Sequence, residues 1–321
     1  MIKVKSKFFL FMVSLLSFSL IVFLFQPTIS SAASNDEQNI SQTANAVNSA
    51  TSSSDIVKPS EQNGNLTATV SGKTEKVTVP DNSQNPINLT DKEDPANDMS
   101  ITLPDQEASS DATKTKYGTV VYDNSDNDFG LAVQPTVDGV KTLITIKDNE
   151  SPKSYDFTMD LPEGNKLVTS ADYLGAQNDT GEVYVVDSDN IVTGIFRPAW
   201  AKDANGNFIP THYEVHGNTI TQIIDTNANT VYPVVADPNW GKIAACSAAI
   251  AWFIGSNLFA AAKIIKAKKY IKELGGLWEA SKLLTRATSW EEKLRIGGNA
   301  FKSLAATITG VGGLAVCVKW K

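Results

Sequence analysis

Tyr232-Pro233-Val234-Val235-Ala236-Asp237-Pro238-Asn239-Trp240-Gly241 is the stretch across which the chain changes its periodicity. Upstream, apolar residues alternate with polar ones in short runs bounded by turn residues, which is the period of a half-buried strand. Downstream they recur every three or four positions, which is the period of a helix with one apolar face. Pro233 and Pro238 punctuate the exit from the first regime, and Trp240-Gly241 lead into the second. The fold class that follows is α+β with its elements segregated: an all-β sandwich or roll over residues 65–238, then a small all-α module over residues 239–321.

Within the β region, residues 66–70 and 76–79 flank Ser71-Gly72-Lys73 and read as a hairpin. Further strands are expected over residues 119–122, 131–134, 143–146, 155–159, 182–186, 191–197, 212–215, 219–224 and 231–235. The turns between them carry residues that tolerate positive φ, such as Asp138-Gly139 and His216-Gly217-Asn218. No repeat of fixed period appears, which argues against a propeller or solenoid. Residues 34–64 are rich in Ser, Asn, Gln and Thr, and too poor in large apolar side chains to offset their ordering entropy. They are expected to form a disordered leader. Residues 1–33 read as an export signal: Lys3, Lys5 and Lys7 precede an apolar run, and Ser31-Ala32-Ala33 supplies the small residues of a cleavage site.

Beyond the junction, residues 243–262 are almost continuously apolar and run into Lys263, Lys266, Lys268, Lys269 and Lys272. Gly275-Gly276 stops that helix, and a short one follows over residues 277–287. Ser289-Trp290-Glu291-Glu292 forms a capping box, and the helix it opens presents Trp290, Leu294, Gly297, Phe301, Leu304 and Ile308 on one face. Charge divides at the same junction. Residues 34–238 hold 31 acidic against 12 basic side chains, a net of −19, whereas residues 239–321 hold 13 basic against 4 acidic, a net of +9.

The stretches Pro198-Ala199-Trp200-Ala201-Lys202-Asp203-Ala204-Asn205-Gly206, Pro210-Thr211-His212-Tyr213-Glu214-Val215 and Tyr232-Pro233-Val234-Val235-Ala236-Asp237-Pro238 resemble those of a set of exported proteins of Gram-positive bacteria. In that set a β domain ends in a Val-Ala-Asp-Pro junction and a helical tail with paired cysteines follows. The resemblance covers the β domain; it implies export and the same boundaries, and it implies no activity.

Catalytic chemistry is poorly represented, and no enzyme activity or cofactor is expected. The two histidines, His212 and His216, share a face if their strand continues, but they have no third ligand at an evident spacing. Asp126 and Asp128, and Asp203, Asn205 and Asn207, bring alternating oxygens into loops as calcium sites do, without the closing Glu of a twelve-residue site. Such clusters also make ordinary turns. The two cysteines, Cys246 and Cys317, stand near the ends of the module, and an exported chain is expected to join them as a disulfide. No nucleic-acid partner is expected for an exported chain whose lysines fit a solvated helix face.

Two readings of the apolar run remain. As a stop-transfer helix, residues 243–265 are long enough to span a bilayer and are followed by lysines. As part of an extracellular bundle, they supply the partner surface that the Trp290 stripe requires. The second leads to a protein, secreted or at the cell surface, whose disulfide-closed cationic module meets anionic membranes in the manner of a bacteriocin or toxin. In it Lys263, Lys266, Lys268, Lys269 and Lys272 are drawn to headgroups, while Trp252, Phe253, Phe259, Trp278 and Trp290 insert. The alternative is an envelope protein whose β domain binds a wall or protein ligand and whose helices are a core or an anchor. Composition assigns no oligomeric state.

Overall fold

The structure, a computed structural model, describes residues 30–62, 64–70, 75–242, 249–250, 253–254, 261–286 and 289–308. Helix α1 (Ser30–Ala50) is followed by β1 (Ser60–Gln62), β2 (Asn65–Val70), β3 (Glu75–Val79), β4 (Ile87–Asp91), β5 (Met99–Thr102), β6 (Thr113–Lys114), β7 (Val120–Tyr122), β8 (Phe129–Thr136) and β9 (Gly139–Ile146). Next come β10 (Ser154–Asp160), β11 (Lys166–Thr169), the short helix α2 (Ser170–Leu174), β12 (Val183–Val186), β13 (Val192–Phe196), β14 (Trp200–Lys202), β15 (Thr211–His216) and β16 (Thr219–Ile224). The chain closes through β17 (Val234–Asp237), β18 (Asn239–Lys242), α3 (Ala261–Glu273), α4 (Leu277–Arg286) and α5 (Trp290–Ile308).

The strands make two antiparallel sheets. The front sheet runs β1-β2-β3-β4-β5-β10-β16-β15; the middle sheet runs β11-β12-β13-β18-β9-β8-β7-β6, with β14 paired to β17 and β17 to β9. The helices form a third layer, so the middle sheet is covered on both faces and the front sheet on one. Sequence pattern follows this layering. In β10, Ser154-Tyr155-Asp156-Phe157-Thr158-Met159-Asp160 alternates exposed and buried, whereas every residue of β8, β9 and β12 is buried. Between the sheets lies a core that includes Val77, Ile87, Ile101, Leu131, Val133 and Phe157, with Phe129 and Tyr155 in edge-to-face contact at 5.0 Å.

The outer face of the middle sheet carries two further clusters. One joins Ile40, Ala44 and Val47 of α1 to Val121, Ala132, Leu143 and Val235. The other joins Tyr184, Val186, Val192 and Ile195 of the sheet, with Tyr173 and Leu174 of α2, to Ile250, Phe253, Ala267, Ile271, Leu277, Leu284, Phe301, Leu304 and Ile308. The stripe expected on α5 is therefore core from Phe301 onward, although the helix is kinked at Gly298. In the expected capping box the Glu292 N–H donates to Ser289 Oγ at 3.1 Å.

Two expectations need correction. Residues 34–64 are not a disordered leader: they hold most of α1, and β1 pairs with β2. Alone, the segment cannot offset its ordering entropy, but Ile40, Ala44 and Val47 fall on one helix face and find an apolar sheet to cover. Thr43 Oγ1 also donates to the buried Asp123 Oδ2 at 2.6 Å, and Asp123 is ion-paired to Lys147 at 2.8 Å. The chain also does not leave the sheet at Pro238. Strand β17 pairs with the far half of β9 and β18 with its near half, so both lie along one neighbour with Pro238 at the break. The register brings Trp240 beside Val140, and the Trp240 carbonyl would lie 2.4 Å from a Cβ at Gly139, whose φ is +157°.

Candidate functional site

The helical layer is held to the sandwich through one buried carboxylate. Glu182, 1 % exposed, ends the turn before β12 and accepts the backbone N–H groups of Leu277 at 2.9 Å and Trp278 at 3.0 Å. These are orphan donors of the first turn of α4, so the carboxylate caps that helix and meets its positive end. The hydroxyls of Tyr184 at 2.7 Å and Thr180 at 3.0 Å complete the cradle. Burial pushes the Glu182 carboxyl up from its ordinary pKa, and these four donors pull it back toward ionisation. Gly276, at φ +112°, lies directly against the carboxylate. The Gly275-Gly276 pair thus both stops α3 and admits the cap of α4.

Around this point the layers are pinned by cations. Arg197 stacks 4.2 Å over the Trp278 ring and pairs with Asp138 at 3.4 Å. Lys268 Nζ donates to the Tyr173 carbonyl at 2.9 Å and Lys272 Nζ to the Gln177 carbonyl at 2.6 Å. Burial lowers the Lys268 pKa. On the opposite side of α3, Lys263, Lys266 and Lys269 face solvent. Ile265, 64 % exposed, stands among them, and Ile296 of α5 is 59 % exposed.

The predicted membrane-contact set therefore separates. Lys263, Lys266 and Lys269 form an outward cationic face, whereas Lys268 and Lys272 are spent on holding α3 to the α2 region. Phe253 and Trp278 are core residues and do not reach a bilayer in this conformation, because the sheet supplies the apolar partner. Trp252, Phe259, Cys246 and Cys317 lie outside the described residues, as does the Trp290 side chain. The stop-transfer candidate, 243–265, lies mostly outside them too. Among the described residues no helix is long and apolar enough to cross a membrane.

The oxygen-rich loops are used locally. Asp203 Oδ1 accepts the N–H groups of Asn205 at 3.0 Å and Asn207 at 2.8 Å, and its Oδ2 accepts Asn207 Nδ2 at 3.0 Å, which holds its carboxyl below the usual range. The Asp126 N–H donates to Asn124 Oδ1 and the Asp128 N–H to Glu107 Oε2. His212 and His216 do share a face of β15, flanking Glu214 with Nε2 atoms 3.9 Å and 3.4 Å from its oxygens. Among the described residues no group of three or more His, Cys, Asp or Glu is placed to hold a metal ion. Sequence reasoning missed Glu182. Its signal is slight: Thr180-Gly181-Glu182 sets a lone carboxylate at the mouth of the apolar run Val183-Tyr184-Val185-Val186.

Neither protein-family models nor curated proteins give a match to the chain. Among solved structures it is similar to a family GH92 inverting mannosidase from Bacteroides thetaiotaomicron, at 12 % identity and a TM-score of 0.30, over 69 % of this chain and 33 % of that one. The chain thus spans about a third of that enzyme's length, and a likeness of this degree carries no argument about chemistry here.

Proposed function

We propose that this is an exported, non-enzymatic protein whose cationic helical layer works at anionic membrane surfaces while the acidic β sandwich sheathes its apolar side. The observation that carries the reading is the division within α3: Ala267 and Ile271 are fully buried against the sheet side, and Lys263, Lys266 and Lys269 point to solvent. A helix so divided is drawn to anionic headgroups by its charge, at about 1 kcal/mol per basic residue near the surface. Ile265 and Ile296 then give a shallow apolar foothold. Deeper insertion requires the layer to leave Glu182 and carry Phe253 and Trp278 out of the core. Joining Cys246 to Cys317 would keep the layer one unit when it does so.

The test is co-sedimentation of the full chain with phosphatidylglycerol and with phosphatidylcholine vesicles over a salt series, read together with dye release. Binding to the anionic vesicles that weakens with salt, and weakens further on replacing Lys263, Lys266 and Lys269 together by Gln, is the expected result. An intact chain that ignores anionic vesicles at every salt concentration removes the proposal. A second reading, an envelope protein whose β layer binds a wall ligand, is favoured by a separate observation: Phe208 is 73 % exposed at the rim of a cleft lined by both charged and aromatic side chains in that layer.

A further inference from the structure

We propose that the cleft between the C-terminal end of α1 and strands β14, β17 and β18 binds a saccharide bearing an acidic group. It rests on the second reading, and it uses no part of the outward lysine face of α3. The cleft, of about 420 Å³, has the size of a small-ligand site.

Its floor is polar and poorly satisfied. Asp237 is fully buried, and neither carboxylate oxygen makes a well-formed hydrogen bond; the backbone and indole N–H groups of Trp200 approach it, with Lys141 and Arg197 beyond. Asn239 Oδ1 and Arg197 Nε, on the same cleft, are likewise buried without a partner. Such groups are costly when left dry, so several gathered in one place mark a surface shaped for something polar. Both a donor and acceptors are without partners just beneath the cleft surface, so the matching ligand is one that gives and takes hydrogen bonds at once, as hydroxyl groups do.

The rim adds an apolar platform. Lys202 Nζ lies 5.5 Å from the Trp200 ring centre and 5.2 Å from that of Phe208, so the two aromatic rings flank one ammonium group. The Asp203 loop presents Phe208 firmly, through the three hydrogen bonds that Asp203 accepts from Asn205 and Asn207. A sugar ring fits such a surface with its carbon face on an aromatic ring and its hydroxyls on the floor. Charge then selects the acidic member of the class. Lys141 is paired with Asp55 and Arg197 with Asp138, but among the described residues no carboxylate lies within ion-pair distance of Lys202. With its pKa pushed by burial to about 8, Asp237 is mostly protonated at neutral pH and does not cancel that charge. A second depression along the flank of α1 shares Ala50 and Lys202 with the cleft, which leaves room for more than one sugar unit.

The experiment is calorimetric titration of the full chain with a hyaluronan tetrasaccharide, which carries carboxylates, and with chitotetraose, which is neutral. The expected result is saturable binding of the acidic probe, weakened by roughly tenfold in Phe208→Ala and in Lys202→Gln, with thermal melting unchanged because both side chains lie at the rim. Vesicle binding should be the same in both variants, which keeps failure of this site distinct from failure of the membrane reading. No saturable binding of the acidic probe overturns the proposal, as does equal binding of the neutral one or binding indifferent to both substitutions.

Discussion

The carboxylate of Glu182 occupies the place where any residue other than glycine at position 276 would put its Cβ, 2.6 Å away. Their contact joins residues almost a hundred positions apart and seats the first turn of α4 on the sheet. Because φ at 276 is +112°, a side chain there is opposed both by its own backbone and by Glu182.

Gly276→Ala should therefore cost about 2–4 kcal/mol, combining left-handed backbone strain with overpacking. Urea unfolding measures the loss, and amide exchange should place it first in α4. A melt indistinguishable from the native chain would show that the helices do not sit on this carboxylate.

Glu182→Gln keeps the shape of the cap but loses its charge and one acceptor oxygen, with an expected cost of about 1–3 kcal/mol. The same variant should release vesicle contents faster than the native chain, since a looser layer uncovers Phe253 and Trp278 more readily. Unchanged leakage from a destabilised variant would separate the cap from any action on lipid.

Asp237 makes stability fall as pH rises. Its pKa rises from the ordinary value of about 3.9 in the unfolded chain to about 8 in the folded one, so the folded state holds the proton more tightly. The stability this contributes is complete below about pH 4 and is lost as pH rises through 8. Asp237→Asn should flatten the decline, gaining on the native chain most at pH 9 and least at pH 5. Parallel stability profiles for the two proteins across that range would refute the assignment.

Val47 is fully buried under α1, and Val47→Ala should cost about 1–3 kcal/mol. A segment without fixed structure would register nothing, so equal urea midpoints for the two chains would dismiss the docking of α1.

What the sequence discloses depends on whether an element's partner lies within the pattern being read. Strand β10 shows its exposed face in Asp156 and Thr158 and its buried face in Tyr155 and Phe157, so both its type and its orientation are legible. Strands β8 and β9 are legible as strands, but continuous burial hides their orientation. Helix α1 escaped notice because Ala44, Val47 and Ile40 are too small a set to predict order until Leu143 and Val235 lie opposite. Strand β18 escaped because Pro238 resembles a terminator when in fact it marks a change of neighbour, β14 flanking the pair before it and β13 after it. The Glu182 cap could not be read at all, since its donors are 95 and 96 residues away and carry no side-chain signature.

In the middle sheet, β18 is the strand that stands between β9 and β13. Until residues 239–242 arrive, the sheet exists as two unjoined flaps, each with a raw edge of unpaired amides. A chain threading outward from its amino end delivers this keystone late, after more than two hundred residues have already emerged. Closure of the sandwich is thereby postponed until the stretch that begins the helical layer is at hand, and the acidic sheets and the basic helices are completed together.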